Sequence, residues 1–187
     1  MRRALLFSLC FSLLVVSCDA TLITIDVPYE TTTTVEAGTV LENLIGEVGF
    51  GDFLNMDVTS SQELQNQGVA PGDINAVSLT YFRLTAAEPD GADLSFLESL
   101  EFYAEAPDLP RVLVASASDF PAGQATVDLD VADVDLTDYV VSQSMTLSTE
   151  VEGRRPDDAT DIFAELNLSI AVTGQGACNF IEGGSAN

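Results

Sequence analysis

Apolar and polar residues alternate along much of this chain with a period of two, the pattern of strands that bury one face and wet the other. The clearest case lies in residues 162–172, where Ala164, Leu166, Leu168 and Ile170 alternate with Glu165, Asn167 and Ser169. Similar runs occupy residues 74–85, 100–105, 111–115, 125–131 and 144–151. Two more precede them. Residues 21–27 are β-branched and end at Pro28, and residues 30–35 are threonine-rich, a composition that favours extended backbone. Turn signals separate the runs, among them Glu88-Pro89-Asp90-Gly91 and the prolines Pro107 and Pro110. Residues 38–68 differ in character. There Ser60-Ser61-Gln62-Glu63 has the form of a capping box, and Gly68 stands where a short helix stops, so one small helix is predicted over about residues 61–67. The pattern therefore gives about eight strands and no helix long enough for a parallel crossover. An all-β fold follows: an antiparallel β-sandwich, jelly-roll-like, with two stacked sheets burying the half-apolar strands.

The first residues break this pattern. Met1-Arg2-Arg3 is followed by residues 4–16, apolar apart from Ser8 and Ser12, which is the layout of a cleavable export signal. The apolar core is about a dozen residues, and a membrane-spanning helix needs roughly 20. Val15-Val16-Ser17-Cys18 resembles the lipobox of bacterial lipoprotein precursors. That resemblance implies a diacylglycerol on the Cys18 thiol, cleavage just before it, and often acylation of the new amino terminus. Two or more acyl chains anchor a protein stably where one does not. Residues 1–17 are then a signal peptide. Residues 18–187 form a single domain, with a short linker at its start and a glycine-rich tail at its end. The alternative is an ordinary secretory signal cut near Ala20. The style of the whole chain is similar to small uncharacterised β-sandwich lipoproteins of bacteria. The expected location is the cell envelope, membrane-anchored on the exported side, with inner membrane, outer membrane and cell surface all open.

Charge narrows the partners. The chain carries 30 acidic residues, 6 arginines and no histidine or tryptophan, for a formal net charge of −24. It has no lysine either, and Arg2 and Arg3 leave with the signal. The remaining Arg83, Arg111, Arg154 and Arg155 cannot displace the counterions of a phosphate backbone, so nucleic acid is excluded as a partner. A face lying on anionic lipid needs basic residues, so the acyl anchor must hold the membrane alone. With Cys18 lipidated, Cys178 in the tail has no partner within the chain.

Elimination removes most catalysis. Without an imidazole there is no Ser-His-Asp or Cys-His apparatus, and without lysine no Schiff base or phosphate loop. Zinc loses its usual ligands. A carboxylate-only glycosidase stays open, since it needs only two acids. The most site-like segment holds Asp128, Asp130, Asp133, Asp135 and Asp138, clustered acids of the kind calcium takes. The competing reading makes Asp128 and Asp130 the outward face of a strand and the others its loop. Asp157, Asp158 and Asp161 beside Arg154 and Arg155 form a second acidic group, read as a charged hairpin loop. Tyr29, Tyr81, Tyr103 and Tyr139 are read as packing residues.

The expected function is thus non-enzymatic, with no cofactor: a lipid-anchored envelope protein with a binding, adhesion or structural role. Its expected partners are the membrane and an envelope protein or polysaccharide. The alternative is a calcium-dependent ligand-binding module, carbohydrate included, and the glycosidase comes third. If the acidity serves a saline setting, salt will screen the self-repulsion of the surface. The melting temperature should then climb as sodium chloride is raised toward molar levels, and a flat calorimetric response would sink that idea.

Overall fold

A computed structural model describes residues 21–38, 43–46 and 56–173. The signal segment, Cys18 and the tail with Cys178 lie outside the described residues. Nine strands are formed among those described: β1 (Thr21–Val35), β2 (Asn43–Gly46), β3 (Ile74–Glu88), β4 (Leu97–Glu105), β5 (Val112–Ala117), β6 (Thr126–Asp128), β7 (Asp130–Val131), β8 (Thr146–Arg154) and β9 (Thr160–Thr173). Sheet A has the order β1-β9-β3-β6 and sheet B the order β2-β8-β4-β5-β7. Every ladder is antiparallel. The pairs β1·β9, β2·β8, β3·β6 and β4·β5 are nested one inside the next, which is the wrapping of a jelly roll. The sandwich expected from the alternation is therefore present.

The alternation explains the layers. Along β9, Ile162, Ala164, Leu166, Leu168, Ile170 and Val172 are buried, and the residues between them are half-exposed. Their counterparts across the core include Phe102 and Leu100 of β4 and Leu147 and Val151 of β8. Phe82 of sheet A meets Phe102 of sheet B with ring centroids 4.3 Å apart, tilted by 42°. Both rings are fully buried, so this contact joins the two sheets. Among the described residues no buried side-chain polar atom lacks a partner.

Details of the strands differ from the sequence reading. The two N-terminal runs are one strand, because Pro28 sits on β1 with its side chain exposed, opposite Asn167, and does not interrupt the ladder. Proline is tolerated on an edge strand, where its missing N–H costs no inner hydrogen bond. The run 125–131 is broken at Leu129, whose N–H donates to the carbonyl of Phe82 (2.9 Å) and whose side chain is buried. The chain there passes from sheet A (β6) to sheet B (β7), closing one side of the sandwich. The loop after β8 is not a hairpin. It crosses between sheets, since β8 pairs with β2 and β4 while β9 pairs with β1 and β3.

The small helix α1 (Gln62–Gln65) forms as expected, but Ser61 is its cap, accepting from the Leu64 N–H (3.4 Å). The Ser60 hydroxyl instead donates to the Asp57 carbonyl. A second helix, α2 (Thr137–Val141), was not anticipated. At five residues it is too short to show periodicity.

Two substitutions test this packing. Phe82→Ala removes half of the inter-sheet ring contact and should cost about 3–5 kcal/mol in urea unfolding, as for other buried aromatics. Gly153 approaches β4 so closely that a Cβ would lie 2.4 Å from the Phe96 carbonyl oxygen. Gly153→Ala should therefore also destabilise, and wild-type midpoints for both variants would refute the packing described.

Candidate functional site

The five aspartates singled out between residues 128 and 138 are dispersed. Asp128, at the end of β6, accepts from the Arg83 Nε (2.6 Å) and Nη2 (3.2 Å) on neighbouring β3. The hydrogen bond from Arg83 holds its carboxyl below the usual aspartate range. Asp130 is exposed on β7, and Asp133 and Asp138 are exposed on the following loop and α2. Asp135 is exposed too, and its carboxylate turns back on its own chain. It accepts from the Thr137 hydroxyl (2.5 Å) and the Thr137 N–H (2.9 Å), and these contacts lower its pKa, the hydroxyl foremost. Among the described residues no group of three or more carboxylates or thiols is arranged to hold a metal ion.

The Asp135–Thr137 pair has a structural task. The Thr137 hydroxyl accepts from the Val77 N–H (3.0 Å), and the Leu136 N–H donates to the Val77 carbonyl (2.9 Å). Strand β6 covers only the Arg83–Thr85 part of β3. Residues 136 and 137 thus occupy an earlier stretch of the same edge, and Asp135 fixes the threonine that does it. Sequence reasoning missed this role because it depends on Val77, 60 residues away.

The outer faces of the sandwich are held by pairings among their own side chains. On sheet A, Arg83 bridges Asp128 and Glu165 (3.7 Å to the latter). The Tyr81 hydroxyl donates to Glu165, and the Arg83 guanidinium lies 5.0 Å from the Tyr81 ring centroid. Asn167 continues the network, donating to Asp26 (3.3 Å) and to the Thr80 hydroxyl (3.0 Å). On sheet B, Arg111 bridges Glu105 (3.0 Å) and Glu150 (2.5 Å) and stacks on the Tyr103 ring at 3.6 Å. The Tyr103 hydroxyl donates to Glu101 (2.8 Å). An arginine so placed occupies the ring face that a sugar would need. Tyr139 is buried, its hydroxyl donating to the Pro110 carbonyl (2.6 Å). Tyr29 is half-buried, and burial, followed by nearby Glu63 and Asp57, pushes its pKa up to about 12.

Open clefts also lie among the described residues. One, of about 330 Å³, lies where the β3–β4 turn meets the β8–β9 crossing and is walled by Asp90, Asp93, Arg154, Asp157 and Asp158. This is where the second acidic group of the sequence falls, although Asp161 lies on β9 and accepts from the Thr34 hydroxyl (2.6 Å). Asp93 is engaged too. It accepts from the Ser95 N–H (2.9 Å) and the Gly123 N–H (2.6 Å), tying two loops together. Hydrogen bonds from Ser95 and then Gly123 lower its pKa. Another cleft, of about 370 Å³, is floored by Thr24, Ala76, Ser78, Ser169 and Ala171 and overhung by Val134. No protein-family model matches the chain, and no curated protein matches it either.

The Asp135 contact gives a signed pH prediction. A carboxyl whose folded pKa is depressed stabilises the fold above its unfolded value of about 3.9, and that contribution is lost as pH falls through the folded pKa. Asp135→Ala should therefore cost about 1 kcal/mol at neutral pH, the scale of a single hydrogen bond. The gap from wild type should close as pH drops below about 4. Asp133→Ala should be silent at both ends of the range. A neutral Asp135→Ala in urea unfolding would contradict the latch.

Proposed function

We propose that this protein is a lipid-anchored component of a bacterial cell envelope whose jelly-roll domain has a non-enzymatic role in binding, adhesion or structural support. The observation that carries this reading is the use to which the carboxylates are put. Asp93, Asp128 and Asp135 are all shifted downward by hydrogen bonds or an ion pair, the opposite of what a general acid needs near neutral pH. A glycosidase built from two carboxylates requires one of them to keep its proton, so these three are unsuited to that role. Calcium binding gains nothing from the geometry, because Asp128 and Asp135 are engaged elsewhere and do not converge with Asp130, Asp133 and Asp138. The anchor is supported by Val15-Val16-Ser17-Cys18 and by the position of the fold, whose first strand opens at Thr21, three residues beyond Cys18.

Intact mass spectrometry of the membrane-extracted protein tests the proposal. A chain beginning at Cys18 with added acyl mass is expected, and Cys18→Ala should move the protein out of the membrane fraction. A chain beginning at Ala20 or later without lipid would overturn the anchor. Glycan hydrolysis abolished by a single carboxylate substitution would overturn the non-enzymatic reading.

A further inference from the structure

We propose that the domain stands on the bilayer by one defined end, with its long axis directed away from the lipid and the acidic cleft at the far end. This rests on the lipid anchor proposed above and deepens it by assigning the surface that faces the headgroups.

Strand direction assigns the ends. Thr21 at the start of β1 is in register with Thr173 at the end of β9, and Ile74 at the start of β3 pairs with Val172. These residues mark the near end. Chain order then brings the loops 106–111 and 132–145 to the same end, since β4 runs back from the far end and β8 runs out toward it. At the opposite end, Val35 pairs with Thr160 and Glu88 with Asp161. The loops 89–96, 118–125 and 155–159 gather there, with the cleft of Asp90, Asp93, Asp157 and Asp158.

Lengths fix the geometry. Thr21 is the third residue after Cys18, and a fully extended chain spans at most about 3.6 Å per residue step, so the near end lies within roughly 11 Å of the anchor residue. Strand β1 has 15 residues, and at about 3.3 Å of rise each its far end is some 45 Å further on. The sandwich could reach the bilayer with that end only by lying on its side.

Its sides oppose this. The outer face of sheet A carries Asp26, Asp128 and Glu165, and that of sheet B carries Glu101, Glu105 and Glu150. Arg83 and Arg111 on those faces are each held between two carboxylates. Laying either face on an anionic leaflet would press carboxylates against phosphates, with the arginine of that face already engaged by two of them. The near end has acids as well, among them Asp73, Asp108 and Asp138, and there the short covalent tether overrides their repulsion. Val141, the large apolar side chain left exposed among the described residues, also lies at this end, on α2.

Quenching by lipid headgroups tests the orientation on the full acylated protein. Single cysteines are introduced at Gly72, where a side chain meets open space, and at exposed Ala122, each in a Cys178→Ser background. Each is labelled with a small fluorophore and reconstituted into phosphatidylcholine–phosphatidylglycerol vesicles containing headgroup-nitroxide lipid. The Gly72 label should be quenched several-fold more than the Ala122 label. Equal quenching on protein that floats with the vesicles would mean the domain lies down, and stronger quenching at Ala122 would invert it; either overturns the orientation alone. Protein that fails to float would overturn the anchor and the orientation with it.

Discussion

Everything in this fold depends on the first strand finding the last. Among the described residues strand β1 is paired along its length with β9 alone, and β9 in turn lies between β1 and β3. A contact between residues 21 and 173 closes almost the entire described chain into one loop. Inside it, β2 meets β8, β3 meets β6 and β4 meets β5. Each inner pair shortens the loop still to be closed, so the entropy of closure is met in steps. The buried stripe of β9 supplies the reason for the arrangement. It offers one unbroken apolar face from Ile162 to Val172, and only a central strand can bury such a face against an opposing sheet for its whole length.

The electrostatics follow from scarcity. A chain with 30 acids and so few arginines cannot neutralise its surface pair by pair. Arg83 and Arg111 sit on opposite sheets, and each bridges carboxylates from two strands while its guanidinium lies over a tyrosine ring. One cation thereby relieves repulsion between two strands at once. Carboxylates without an arginine turn to backbone and hydroxyl donors, as Asp93 and Asp135 do. Exposed pairs contribute little to stability one at a time. Their arrangement across neighbouring strands sets them where carboxylates lie directly opposite one another, as Glu101 and Glu150 or Glu30 and Glu165 do, pairs that repel.

Much of this was legible in the sequence because it is local. Alternation in β9 and the absence of a long helix are enough to give an antiparallel sandwich, and the jelly-roll order fits the count of strands. Asp128 was readable as an outward residue from Val127 and Leu129 beside it. The break at Leu129 was not, since its backbone turns to meet the Phe82 carbonyl, a partner no pattern within residues 125–131 reveals. The same holds for Asp135. Its place in a cluster of aspartates allows either a calcium loop or a solvated one, and its actual neighbour, Thr137, matters because of the stretch of β3 edge that β6 does not cover. Helix α2 was hidden because five residues are too few to show a helical period.

Pro28 has a meaning beyond the ladder it does not interrupt. Among the described residues strand β1 is the outer member of sheet A, and a long outer strand is a template on which foreign β-strands can grow. Lysines are the common deterrent on such edges, and this protein has none. A residue with no amide hydrogen at the midpoint of β1 leaves no continuous row of donors for a neighbour to read. Where copies of the domain meet edge to edge, that gap in the donor row works against a sheet that extends from one molecule to the next.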